Sequence, residues 1–144
     1  MANVPTDREI LQAVYDRYHQ QFTAYDPGNP DRVAKILIPI DCLAIAHDLG
    51  GVDPDIVFGR LYYHLEQKHG YDRPPGRVSF FALEAGGERH CVNFPLLTSV
   101  LAGLQEERDR HVLTLWLSIA SIVVSLIAIV VAGLVVLFTT WWKP

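Results

Sequence analysis

From Val112 to Trp142 the chain carries no charged side chain, and Val, Leu and Ile dominate the run. A water-soluble helix shows its apolar residues as one stripe, whereas here they occupy every face. At a rise of about 1.5 Å per residue, such a run is long enough to cross a hydrocarbon core of roughly 30 Å. It therefore predicts one transmembrane helix over 112–142. That assignment divides the rest of the chain into a domain-sized polar segment, residues 1–105, and a helical connector, residues 106–111. Only Lys143 and Pro144 follow the run. The expected architecture is a small domain held to a membrane by a tail anchor.

Charge narrows what the domain can bind. Residues 1–111 hold all 16 acidic residues and all but one of the 12 basic ones, an excess of five carboxylates. A surface of that sign does not gather nucleic acid or anionic lipid by charge alone, so nucleic acid is an unlikely partner. The two cysteines, Cys42 and Cys91, lack metal or redox spacing and read as small core residues. No basic patch followed by an apolar stretch opens the chain, so no cleaved secretory signal is expected. Arg108 and Arg110 precede the span and Lys143 alone follows it. The positive-inside rule then places the N-terminal domain in the cytoplasm, on the inner or plasma membrane, with the C-terminus on the opposite side.

Within the domain, Thr6 or Asp7 caps a first helix. Ile10, Leu11, Val14, Tyr15, Tyr18 and Phe22 recur along it at intervals of three and four. Asp26-Pro27-Gly28-Asn29-Pro30 ends it. The next stretch predicts two helical pieces, Arg32–Ile38 and Ile40–Leu49, separated by Pro39. Gly50-Gly51 turns the chain, and Asp53-Pro54 supplies an N-cap and an N1 proline for a helix that ends at Gly70, read as its C′ residue. After the Pro74-Pro75-Gly76 loop, Arg77–Glu84 and Arg89–Phe94 predict strands joined through Ala85-Gly86-Gly87-Glu88. Pro95 starts a last helix, with Leu96, Leu97, Val100, Leu101 and Leu104 on one side. No breaker separates it from the span.

This order (helix, helix, glycine turn, helix, hairpin, helix) resembles the winged helix-turn-helix superfamily. The segment that carries the resemblance is Ile40 to Tyr71, IDCLAIAHDLGGVDPDIVFGRLYYHLEQKHGY. Ala44, Leu49 and Val52 look like its turn-packing positions, Asp53–His69 like its recognition helix and Arg77–Phe94 like its wing. The turn departs from the usual pattern by one extra glycine. The resemblance implies an α+β fold: a mainly helical, winged-helix-like cytoplasmic domain with a β-hairpin wing, followed by one transmembrane helix.

In this superfamily the recognition helix often enters the DNA major groove. Here its first turn carries Asp53 and Asp55, and the wing carries Glu84 and Glu88. Carboxylates held against phosphates repel, and counterion release needs several net cations. An acidic, aromatic helix suits protein docking better, and Asp55, Phe58, Tyr62 and Tyr63 are its candidate contact residues. Part of that aromatic set is expected in the core.

Catalytic signals are weak. The six histidines, His19, His47, His64, His69, His90 and His111, sit singly. His64 and His69 are five apart, which separates them on a helix, and the adjacent His90 and Cys91 point to opposite faces of a strand. A metal site assembled from Cys42, His47, His90 and Cys91 is a remote alternative. No phosphate loop or nucleophile elbow occurs. The reading is a non-enzyme with no catalytic, cofactor or metal residues.

The span carries its own pattern. Ser118, Ser121, Ser125, Ala128 and Ala132 recur at three, four, three and four residues, so small side chains share one face, as in helices that pack on another helix. Trp116, Trp141 and Trp142 fit as membrane-interface anchors. The sequence thus suggests a single-pass accessory or structural subunit of a larger membrane complex. Its expected partners are membrane lipid and other transmembrane subunits, as a hetero- or homo-oligomer. A membrane-tethered DNA-binding transcription regulator is the alternative.

Overall fold

A computed structural model describes residues 4–141, with residues 139 and 140 described by backbone alone. It is an α+β protein with small antiparallel sheets and a long apolar helix toward the C-terminus. Two compact units divide it, Met1–Gln105 and Glu106–Pro144.

In the first unit, α1 (Asp7–Thr23) opens on a capping box. The Thr6 hydroxyl accepts from Glu9 N–H, and the Glu9 carboxylate accepts from Thr6 N–H at 2.8 Å. Ile10, Leu11 and Val14 are fully buried on its inner face. β1 (Leu37–Pro39) follows a loop, then α2 (Cys42–Asp48), whose first turn is capped by Asp41. Gly50 and Gly51 both adopt left-handed φ, +87° and +83°, a conformation that costs a side-chain-bearing residue energy. The second glycine is therefore a geometric requirement of this turn. Asp53 caps α3 (Pro54–Gly59), which continues without a break through a π-helical segment (Arg60–Leu65) into α4 (Glu66–His69).

β2 (Tyr71–Arg73) and β3 (Gly76–Val78) form one hairpin, and β4 (Phe81–Ala85) and β5 (Glu88–Asn93) a second. β1 pairs with β5 to give a three-stranded antiparallel sheet in the order β1-β5-β4, with Ile38 opposite Val92 and Phe81 opposite Val92. α5 (Phe94–Trp141) starts beside it and adds Phe94, Leu97 and Leu101 to the core. The largest buried side chains, Phe80, Phe81 and Phe94, lie where sheet and helices meet. In the second unit every residue from Val112 to Phe138 is exposed, and the helix is long and apolar enough to cross a membrane.

Several local expectations are overturned. Arg32–Ile38 is not a helix: its last two residues open β1. Ile38 precedes Pro39, whose ring disfavours the helical region for its neighbour, and Ile38 is fully buried as a strand residue. The helix expected from Ile40 begins at Cys42, because Asp41 takes the capping position. The strand expected over Arg77–Glu84 is split between β3 and β4. The Glu66 carboxylate accepts from both Phe80 N–H (2.6 Å) and Phe81 N–H (2.9 Å), removing those donors from the ladder. Gly70 is extended (φ −70°, ψ 141°) and is no left-handed cap. Its lack of a side chain serves packing, since a Cβ there would sit 2.6 Å from Glu66 Oε1.

Candidate functional site

The helical rod of residues 54–69 positions the residues singled out for docking. Burial of Val57, Leu61 and Leu65 fixes its rotation, as all three are fully buried. Phe58 and Tyr62 are then half-buried at the edge of the core, while Tyr63 is 65% exposed. Their rings form a continuous ladder. Phe58 stacks on Tyr62 at 5.5 Å, Tyr62 meets Tyr63 edge-on at 4.9 Å, and both Phe58 and Tyr62 abut Phe81 of β4. Aromatic pairs at these separations are stabilising beyond the area they bury.

Two grooves flank this ladder. One, of about 380 Å³, lies among the starts of α2 and α3 and strand β5, lined by Asp41, Cys42, Leu43, Asp55, Phe58 and His90. The other, of about 560 Å³, lies between the rod and β4, with Tyr62, Tyr63, Gln67, Leu83 and Glu84 on its walls. The four docking residues read from the sequence are therefore divided: Asp55 and Phe58 face one groove, Tyr62 and Tyr63 the other. Asp41, Leu83, Glu84 and His90 complete the grooves. They were not singled out for docking in the sequence, because the pairing of distant segments places them there. His90 holds φ +57° within β5, and its ring lies 5.3 Å from that of Phe58.

Among the cations near the rod, Arg60, His64 and Arg77 are engaged, while Lys68, Arg73 and Arg89 have no ion pair among the described residues. Arg60 Nη2 lies 2.6 Å from Asp7 Oδ1, and His64 Nε2 lies 3.1 Å from Asp7 Oδ2. Arg77 bridges Glu66 (3.1 Å) and Asp72 (3.2 Å). These hydrogen-bonded carboxylates, Glu66 first, raise the Arg77 pKa. Burial lowers the His69 pKa, aided by the neighbouring Lys68. Asp55 and Glu84 have no ion pair among the described residues.

Burial pushes the Cys42 thiol up to about 11, with the Asp41 charge acting in the same direction, so a thiolate there is disfavoured at neutral pH. Burial likewise raises Cys91, whose side chain lies in the core away from the groove that Cys42 and His90 share. Among the described residues no three His, Cys, Asp or Glu side chains gather into a metal-holding cluster.

Along the span, Ser118, Ser121, Ser125, Ala128 and Ala132 are all exposed on α5. The Ser118 hydroxyl donates to Thr114 O and the Ser125 hydroxyl to Ser121 O, both at 2.9 Å. Such back-bonding satisfies the hydroxyls within their own helix. The face thus offers small side chains and, at Ser121, a hydroxyl without a hydrogen bond among the described residues. Trp116 and Trp141 are exposed, and Trp142 lies outside the described residues. Compared with protein-family models, with curated proteins and with solved structures, the chain shows no significant match.

Proposed function

We propose that this chain is a non-catalytic, single-pass membrane protein that acts as an accessory subunit of a larger membrane assembly. Its winged-helix-like domain docks on a partner in the cytoplasm while the span packs among other transmembrane helices. The element order supports the winged-helix reading: α1, α2, the Gly50-Gly51 turn, the rod of residues 54–69, the β4–β5 hairpin and α5 follow in that sequence, with β1 between α1 and α2 and the β2–β3 hairpin between the rod and β4. Arg108 and Arg110 ahead of the span support the orientation.

The observation that carries docking over DNA binding is the disposition of the arginines. Arg60, within the rod, and Arg77 beside it are committed to Asp7, Glu66 and Asp72; Lys68, Arg73 and Arg89 carry no ion pair among the described residues, and Asp55, Ile56 and Tyr63 are exposed with them. DNA affinity needs several clustered cations facing phosphate, and the free ones here share the surface with carboxylates and aromatic rings. Two measurements test the reading. Extraction of the tagged full-length protein in mild detergent is expected to retain a membrane partner. Titration with duplex DNA at low salt is expected to show no salt-sensitive binding; steeply salt-dependent micromolar binding would favour the tethered regulator instead.

A further inference from the structure

We infer that the two grooves flanking residues 54–69 receive an extended, basic segment of a partner membrane protein, its Lys or Arg heads at Asp55 and Glu84 and its aliphatic stems on Phe58 and Tyr63. This inference rests on the docking reading above and names the chemistry of the partner.

Three independent features converge on that occupant. The first is charge complementarity. The carboxylate surplus of the domain leaves several acidic residues without an ion pair among the described residues, and of these Asp55 lies at one groove and Glu84 at the other, with Arg89 opposite Glu84 in the β4–β5 register but not ion-paired to it. The second is the ladder between the two carboxylates. Phe58, Tyr62 and Tyr63 present ring faces and edges, on which a cationic head gains from the ring quadrupole and its methylene stem from apolar contact.

The third feature is the sheet edge. β4 is an outer strand of the β1-β5-β4 sheet, and it borders the larger groove. Glu66 closes its first residue by accepting from Phe81 N–H, which leaves Ala82–Ala85 as the stretch along which an added strand can run. A helical ligand would use none of this edge, so an extended one is favoured.

The membrane setting supplies the reason for basic chemistry. Cytoplasmic loops of membrane proteins carry an excess of Lys and Arg close to their spans. A domain with surplus carboxylates meets such loops attractively and meets anionic headgroups repulsively.

The test uses the full-length protein in a neutral detergent, with a short fluorescent peptide alternating Lys and Val as probe and its Glu–Val counterpart as control. The Lys–Val peptide is expected to bind with an affinity that falls as salt rises, and the Glu–Val peptide is expected not to bind. Asp55→Asn with Glu84→Gln keeps side-chain size and is expected to weaken binding roughly tenfold. Tyr63→Ala, at an exposed position outside the buried core, is expected to weaken it as well. Absence of Lys–Val binding, or unchanged affinity in these variants, overturns the inference. Partner retention separates its failure from that of the docking reading. A partner retained equally by wild type and the neutralised variant leaves docking standing and removes the basic segment. A wild type that retains no partner removes the docking reading itself.

Discussion

The two parts of α5 follow opposite rules. Between Phe94 and Leu104 its apolar residues are spaced so that Phe94, Leu97 and Leu101 are buried while Pro95, Ser99, Ala102 and Gly103 are exposed on a wetter side. From Val112 to Phe138 apolar residues occur all round, and each residue is exposed. In water, a helix is held by burying one stripe, so the identity of each stripe residue matters. In lipid, no stripe is privileged by solvent, and helices select partners by close packing of small residues. The domain is thus specified residue by residue, whereas the apolar helix depends on average composition.

This contrast is broken most directly by matched truncations. Leu61→Ala, at a fully buried position, is expected to cost the domain about 2–5 kcal/mol. Leu126→Ala in the span is expected to leave the domain's thermal unfolding midpoint where it was. Equal effects in the full-length protein would mean that the two regions do not differ as described.

Next in size is Glu66→Ala. It strands the Phe80 and Phe81 N–H groups and frees Arg77, at an expected cost of about 2 kcal/mol in denaturant unfolding. Gly86→Ala follows, at roughly 1–2 kcal/mol. Gly86 has φ +61°, and a Cβ there would lie 1.7 Å from Val33 Cγ2, so the loop before β1 must shift. Alanine at Gly87, which is also left-handed but has open space around it, is expected to cost less.

Thr6→Ala removes the hydroxyl half of the capping box, leaving the backbone N–H of residue 6 on Glu9, and is expected to cost about 1 kcal/mol. It also weakens a pH dependence. Hydrogen bonds from the Thr6 backbone N–H and then its hydroxyl hold Glu9 below its usual 4.5, and the Arg17 hydrogen bond holds Asp48 below its usual 3.8. A carboxyl depressed by folding stabilises the fold above its unfolded value and loses that contribution as pH falls through the folded value. Unfolding monitored by circular dichroism is therefore expected to become easier as pH drops below 4.5, with a shallower slope in the Thr6→Ala variant. The smallest effect on the domain belongs to Ser121→Leu with Ser125→Leu. Insertion and domain stability are expected to be unchanged while the amount of co-extracted partner falls. Equal retention would leave the span as a lipid-facing anchor.

Local chemistry made much of the domain legible. Thr6, Asp53-Pro54 and the Ala85-Gly86-Gly87-Glu88 turn act where they stand, through hydrogen bonds and dihedral preferences that reach only a few residues. The candidate site was legible in half. The rod's period brought Phe58, Tyr62 and Tyr63 together as one aromatic set, but nothing local to Asp41, Leu83, Glu84 or His90 marks them as groove walls.

The sequence by itself determined the apolar run, the acidic balance of the domain and the positions of most helix starts, because each depends on composition or on neighbours within one or two turns. Only the tertiary structure decided that Leu37–Pro39 becomes a strand, since its pairing partner in β5 lies more than fifty residues away. It likewise decided that one carboxylate, Glu66, separates β3 from β4, and that residues from α2, the rod and the hairpin meet in two grooves. Those outcomes rest on contacts between distant segments, which form only when the core has closed around them.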